Sequence, residues 1–181
     1  PQQRAAVTHA GGPLLIVAGA GSGKTRVLTH RIAYLLAERA VSPGEILAIT
    51  FTNKAAGEMA SRVAQLVGPQ ARAMWVMTFH SACVRILRRE AKRFGYPQNF
   101  SIYDAADSQR LMALVCRELE LDARQYPPKS MAAQVSNLKN ELVDYESFAA
   151  SAATAREKAL AEVYAEYQRR LVAAAAMDFD D

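Results

Sequence analysis

The segment Ala18-Gly19-Ala20-Gly21-Ser22-Gly23-Lys24-Thr25 constrains this chain more than any other part of it. It follows the apolar run Leu14-Leu15-Ile16-Val17-Ala18, which reads as a buried strand. It opens a stretch from Lys24 to about Arg39 in which Val27, Leu28, Ile32, Leu35 and Leu36 recur at helical spacing. A glycine-rich turn between strand and helix, ending in Gly-Lys-Thr, is the setting of a phosphate-binding loop. Glycines let the backbone turn tightly and aim successive N–H groups at phosphate oxygens. The helix start adds a partial positive charge. The Lys24 ammonium can reach the β- and γ-phosphates of a nucleoside triphosphate, and the Thr25 hydroxyl can ligate Mg²⁺. The common pattern opens with Gly where this chain has Ala18, but Gly19, Gly21 and Gly23 keep the flexible points. The bland alternative is a glycine-rich turn that binds nothing.

The alternation continues downstream. Pro43-Gly44 is a turn, and Glu45 to Phe51 reads as a second strand, followed by a helical pattern from Lys54 to Val67. Gly68-Pro69 breaks that helix. Ala73 to Phe79 reads as a third strand, followed by a basic helix to about Phe94, and Phe100 to Tyr103 as a short fourth one. Buried strands alternating with helices predict an α/β fold, a parallel sheet with helices on both faces. After Asp104 the style changes. Asp104 can cap a helix from about Ala105 to Glu120, and another runs from about Ser130 to Val143 beyond a linker at Tyr126-Pro127-Pro128. Thr154 and Glu157 fit a capping box. Leu160, Val163, Tyr164, Tyr167 and Leu171 then form one apolar stripe, a helix–helix seam, to about Ala175. Residues 105–176 read as an all-helical unit attached to, or inserted into, the α/β unit.

Composition narrows the class. The 181 residues are 51% apolar and 22% charged, an ordinary globular composition with enough length for a sizeable core. Cys83 and Cys116 cannot build a disulfide framework or a four-ligand zinc site. His80 and Cys83 are spaced like two metal ligands, but no second pair exists. No apolar run reaches the ~18–20 residues that span a bilayer, and no secretory signal opens the chain, so a reduced intracellular compartment is expected. The net charge of +4 is mild but uneven. Arg72, Arg85, Arg88, Arg89, Lys92 and Arg93 face only Glu90 between residues 72 and 96. On a helix Arg85, Arg88, Arg89, Lys92 and Arg93 form one stripe, with Val84, Leu87, Ala91 and Phe94 turned elsewhere. It reads as a solvated face or as a surface for a polyanion.

Read singly, Phe51 and Trp75 are core residues and His80 a structural histidine. In context, Thr50-Phe51-Thr52-Asn53-Lys54 follows a parallel strand, at the sheet edge where α/β folds bind ligands. There an aromatic can stack on a base, while Thr, Asn and the next helix start hold a phosphate.

Five segments, in order, resemble the N-terminal part of a superfamily 1 DNA helicase of the UvrD/PcrA/Rep type. Pro1 to Val7 is similar to the family segment whose glutamine reads adenine, with Gln3 in that place. Ala18 to Thr25 is the family's form of the phosphate loop, leading Ala included. Ile49 to Ala56 resembles a segment touching single-stranded DNA, and Thr78-Phe79-His80-Ser81 the next DNA-coupled motif. Met177-Asp178-Phe179-Asp180-Asp181 resembles a motif upstream of the acidic magnesium motif. The resemblance implies ATP and Mg²⁺ as cofactors, held by Gln3, Ala18, Gly19, Ala20, Gly21, Ser22, Gly23, Lys24, Thr25 and Arg26. Lys24 and Thr25 would be catalytic, with Thr25 on the metal. It implies Phe51, Thr52, Asn53, Thr78 and His80 toward DNA, single strands and duplex junctions as partners, and 3′-to-5′ movement. It implies a bacterial cytosolic protein without a membrane partner.

On this resemblance, residues 1–104 and 177–181 belong to a RecA-like P-loop motor domain, and 105–176 form a helical subdomain inserted into it. The acidic Asp-Glu-x-Gln motif, the arginine fingers and a second motor domain are missing. The chain then reads as a monomeric fragment that hydrolyses ATP poorly, since catalysis here is mainly positioning and charge stabilisation. Three alternatives stay open: the helicase subunit of a nuclease-coupled recombination complex, a phosphotransferase of nucleotide-kinase type, and a non-catalytic interaction module.

Overall fold

The computed structural model describes residues 1–181, which divide into two compact units, Pro1–Ile86 and Leu87–Asp181. The fold is mixed α/β, mostly helical, with small parallel sheets. No helix is long and apolar enough to cross a membrane.

The first unit begins with α1 (Gln2–Thr8), then α2 (Lys24–Glu38), β1 (Leu47–Thr50), α3 (Asn53–Val67) and β2 (Trp75–Thr78), and enters α4 (Phe79–Glu90). β1 and β2 pair in parallel, with Leu47 opposite Trp75 and Thr50 opposite Thr78. α3 is the crossover that a parallel pair requires. It buries Ala56, Met59 and Val63, which share one face. Met59 and Val63 meet Ile32 of α2, Ile46, Ala71 and Met74 in the core. Each large aliphatic side chain buried there contributes about 1.5–3 kcal/mol. α3 stops at Gly68, whose φ of 77° favours glycine and whose N–H donates to Ala64 O.

The second unit holds β3 (Ser101–Ile102), α5 (Ala105–Glu118), α6 (Pro128–Asn140), α7 (Tyr145–Ser151), α8 (Ala155–Ala173) and β4 (Ala176–Met177). β3 and β4 pair in parallel, and the Ser101 and Tyr103 amides donate to Ala175 O and Met177 O at 2.8 Å. The chain therefore leaves one strand, makes four helices and returns beside that strand. The core joins Met112 and Val115 of α5, Met131 and Val135 of α6, and the stripe of α8. Tyr164 and Tyr167 are both in it, and the Tyr164 hydroxyl donates to Val143 O at 3.1 Å. Asp104 caps α5, accepting from the Ala106 and Asp107 amides. The Thr154–Glu157 capping box starts α8.

Several expectations need correction. The run Leu14–Ala18 is not a buried strand. Its backbone pairs with none of the four strands, and Leu15 and Val17 stay 86% and 88% exposed. A parallel strand is buried only when neighbours flank it, and β1 and β2 pair with each other instead. In place of one continuous sheet there are two two-stranded ones. The basic helix passes at Ala91 into a 3₁₀ turn ending at the exposed Phe94. α7 escaped the sequence reading because it has seven residues and buries none, too little for a period. Its only signal was Asp144, which accepts from the Ser147 amide at 2.7 Å.

Candidate functional site

The glycine-rich loop folds as the sequence requires. Gly21 and Gly23 take φ of 73° and 84°, the left-handed region that a side chain would strain. Gly23 is also the N-cap of α2, and α2 has neither a side-chain cap nor an acid in its first turn. Its first amides and the positive end of its dipole therefore remain available to an anion. The Ser22 hydroxyl donates to Gly19 O at 2.6 Å. Lys24 Nζ donates to Ala18 O at 2.8 Å and to Gly19 O at 2.7 Å, so the ammonium is drawn back over the loop. Thr25 is exposed on the first turn beside it. An ammonium, a hydroxyl and uncapped amides are a donor set that fits a triphosphate, with Thr25 as one oxygen ligand for Mg²⁺.

α1 lies against this loop. Gln3 Nε2 donates to Ser22 O at 2.9 Å, and Arg26 Nη2 donates to Gln3 Oε1 at 3.1 Å. A Cβ at Gly23 would lie 3.2 Å from Gln3 Nε2, so the contact is close. Gln3, Arg4, Val7, Arg26, Val27 and His30 line a recess of about 350 Å³. The structure thus brings Gln3, Ser22, Gly23 and Arg26 together.

The other predicted residues gather at a different place. Because Thr50 and Thr78 are register partners, the C-terminal ends of β1 and β2 are adjacent, and α3 and α4 both start there. Phe51 sits at that edge and is 99% exposed. Its reading as a core residue is therefore wrong: the strand ends at Thr50, before the aromatic. Thr52 caps α3 by accepting from the Ala55 amide at 3.1 Å, a contact worth about 1 kcal/mol to the fold. Asn53 is the first residue of α3 and exposed. The Thr78 hydroxyl lies 2.8 Å from the Ser81 hydroxyl and accepts from the Ser81 amide at 3.3 Å. The exposed His80 ring meets Phe79 edge-on at 6.0 Å. Trp75 is half-buried, with the Arg85 guanidinium 4.1 Å over its ring.

The terminal acids serve another purpose. Asp178 Oδ2 accepts from Lys139 Nζ at 3.0 Å and from the Tyr167 hydroxyl at 2.8 Å. Asp181 Oδ1 accepts from Lys139 Nζ at 2.8 Å. Burial pushes the Asp178 carboxyl up, but the Lys139 ammonium and the hydrogen bonds outweigh it and hold the carboxyl below its ordinary range. Burial first, and then Asp178, push the Tyr167 phenol up. Sequence reasoning missed Lys139, and also Arg31, whose guanidinium reaches the end of α1. Neither carries a local signal, since the partners of Lys139 lie 39 and 42 residues away and those of Arg31 22 to 25.

Comparison with known proteins adds independent findings. The model of the UvrD/REP helicase N-terminal domain matches residues 1–181. The chain is 61% identical over its whole length to the ATP-dependent DNA helicase UvrD1 of Mycobacterium tuberculosis, covering 24% of that protein. It is 51% identical to the ATP-dependent DNA helicase PcrA of Bacillus subtilis, again over 100% of the chain and 24% of the relative. The chain therefore spans about a quarter of the length of these relatives.

Proposed function

The chain belongs to the UvrD/REP helicase N-terminal domain family, and from that premise we propose that it is the nucleotide-gripping, single-strand-contacting part of an ATP-dependent 3′-to-5′ DNA helicase of repair or replication. The observation that carries this reading is the phosphate loop opening an uncapped α2, with Lys24 and Thr25 at its start. Lys24 serves the β- and γ-phosphates, Thr25 the Mg²⁺, and Gln3 the adenine edge. Both ends of the Gln3 amide are now used within the protein, so adenine would take over one or both of those hydrogen bonds. Magnesium would supply charge neutralisation of the phosphates; the chain's own part is to orient them.

Residues 1–104 with 177–181 form a RecA-like motor domain in this proposal, and 105–176 an inserted subdomain. The parallel return of β4 beside β3 supports the insertion. The groups assembled here position ATP but are too few to turn it over well, so the chain alone hydrolyses it poorly. DNA runs along the edge carrying Phe51, Thr52, Asn53, Thr78 and His80, where two helix starts favour phosphate and one bare ring favours a base.

The test is ATP hydrolysis by a protein of the relatives' length carrying this chain, with and without a single-stranded oligonucleotide. Strong stimulation is expected. Turnover indifferent to DNA would refute the reading and point to a small phosphate acceptor. Phe51→Ala is expected to weaken single-strand binding by about 1–3 kcal/mol, the scale of a lost base stack. Melting should be unchanged, because the ring buries nothing. Equal DNA affinity in a titration would refute the stacking role.

A further inference from the structure

α1 has little of its own to hold it in place. It has seven residues, buries none of them, lacks a side-chain cap and carries no cation in its last turn. An isolated helix of that length is unstable in water. It packs along α2, and one residue of α2 ties down its C-terminal end by hydrogen bonds. Arg31 Nη1 lies 3.0 Å from Ala6 O, 3.2 Å from Val7 O and 3.0 Å from His9 O. These carbonyls belong to the last turn of α1 and its cap, where backbone acceptors lack helical partners and the dipole is negative. A guanidinium donated there satisfies acceptors that α1 itself cannot. At the other end of α1 the Gln3 side chain donates to Ser22 O of the loop and accepts from Arg26 of α2.

We propose that Arg31 is a positioning residue for base recognition: by clamping the C-terminal end of α1 it holds Gln3 at the edge of the phosphate loop. The inference rests on the reading of Gln3 as the adenine contact. The Arg31 guanidinium hydrogen-bonds Ala6, Val7 and His9 at the end of α1, so it acts through α1. Its loss therefore lowers affinity for the nucleotide whose base Gln3 reads, and leaves triphosphate binding as such in place.

The experiment uses the full 181-residue chain as wild type, Arg31→Ala, Arg31→Lys and Gln3→Ala. Amide hydrogen exchange is followed over residues 1–9, and ATP and GTP dissociation constants are measured. Arg31→Ala is expected to speed exchange in α1 and leave α3 unchanged. Its ATP dissociation constant should rise about tenfold, the scale of one misplaced hydrogen-bonding group, while that for GTP hardly moves. Arg31→Lys, still a cation with N–H donors, should recover part of both effects. Should Arg31→Ala melt at room temperature, Arg31→Gln keeps the stem and two donors and carries the same test. Unchanged exchange in α1 overturns the proposal, and so does a parallel loss of ATP and GTP affinity, which marks a merely structural role. A Gln3→Ala chain that keeps the wild-type preference for ATP refutes the adenine reading itself. That failure is seen without any Arg31 variant, and it takes the inference down with it.

Discussion

Lys24→Ala is expected to lower ATP turnover by on the order of 100- to 1,000-fold, the loss seen when one preorganised donor to a developing charge is removed. The reasoning starts from where the ammonium sits. It is exposed, and its hydrogen bonds within the protein go to two loop carbonyls, Ala18 O and Gly19 O. Those bonds hold a positive charge over the mouth of the glycine-rich loop without burying it. A phosphate can therefore attract it outward at little structural cost. Alanine removes the charge and three donors but leaves the uncapped amides of α2, so residual triphosphate binding should persist. Folding should be indifferent, because Ala is the best helix former and no buried contact is lost. Turnover is read in a protein of the relatives' length with DNA present, and thermal melting serves as the control. Turnover within a few-fold of wild type, with melting unchanged, would remove Lys24 from the proposed machinery.

The largest effect on stability is expected at Lys139. Its side chain is 5% exposed and lies between Asp178, 6% exposed, and Asp181, 16% exposed. Lys139→Met keeps the stem and deletes the charge, leaving two carboxylates close together with little water to solvate them. Breaking a buried ion pair from one side costs about 3–5 kcal/mol, because the abandoned charge keeps its desolvation penalty. Chemical denaturation should show a loss of that size. A loss below about 1 kcal/mol, the level of an exposed pair, would mean that the pair is solvated.

The pH dependence follows from the depressed Asp178 carboxyl. A group whose folded pKa lies below its unfolded value adds stability above the unfolded pKa. It loses that stability as pH falls through the folded one. Wild type is therefore expected to weaken below the ordinary carboxylate range. In Lys139→Met the burial effect on Asp178 is left unopposed by the ammonium, so acid relieves the variant. The gap between the two proteins should be widest near neutral pH and narrow as pH falls. A constant gap would mean that Asp178 is not the responsive group.

Much of this molecule was legible in local pattern. The loop from Ala18 to Thr25 showed its turn chemistry in its glycines, and the helix beyond it began at Lys24 as expected. Asp104 and the Thr154–Glu157 box marked helix starts correctly, because caps involve residues two or three apart. The stripe from Leu160 to Leu171 named its own buried face. The candidate site was legible as segments rather than as an arrangement. Nothing local said that Phe51 and His80 stand at neighbouring strand ends, which follows from the pairing of β1 with β2. Arg31 and Lys139 carry no local signal, because their partners lie far along the chain.

The sequence by itself determined the turns, caps and helix faces, because those depend on residues close along the chain, and the resemblance of five motif segments pointed to the family. Tertiary structure alone decided that Leu15 and Val17 stay bare, that Phe51 stands free of the core and that Arg31 holds α1. It alone placed Lys139 between two acids near the far end of the chain. Strand neighbours and long-range ion pairs form when distant segments meet, and the free energy of that meeting is a property of the packed chain, without a period or spacing in the sequence to announce it.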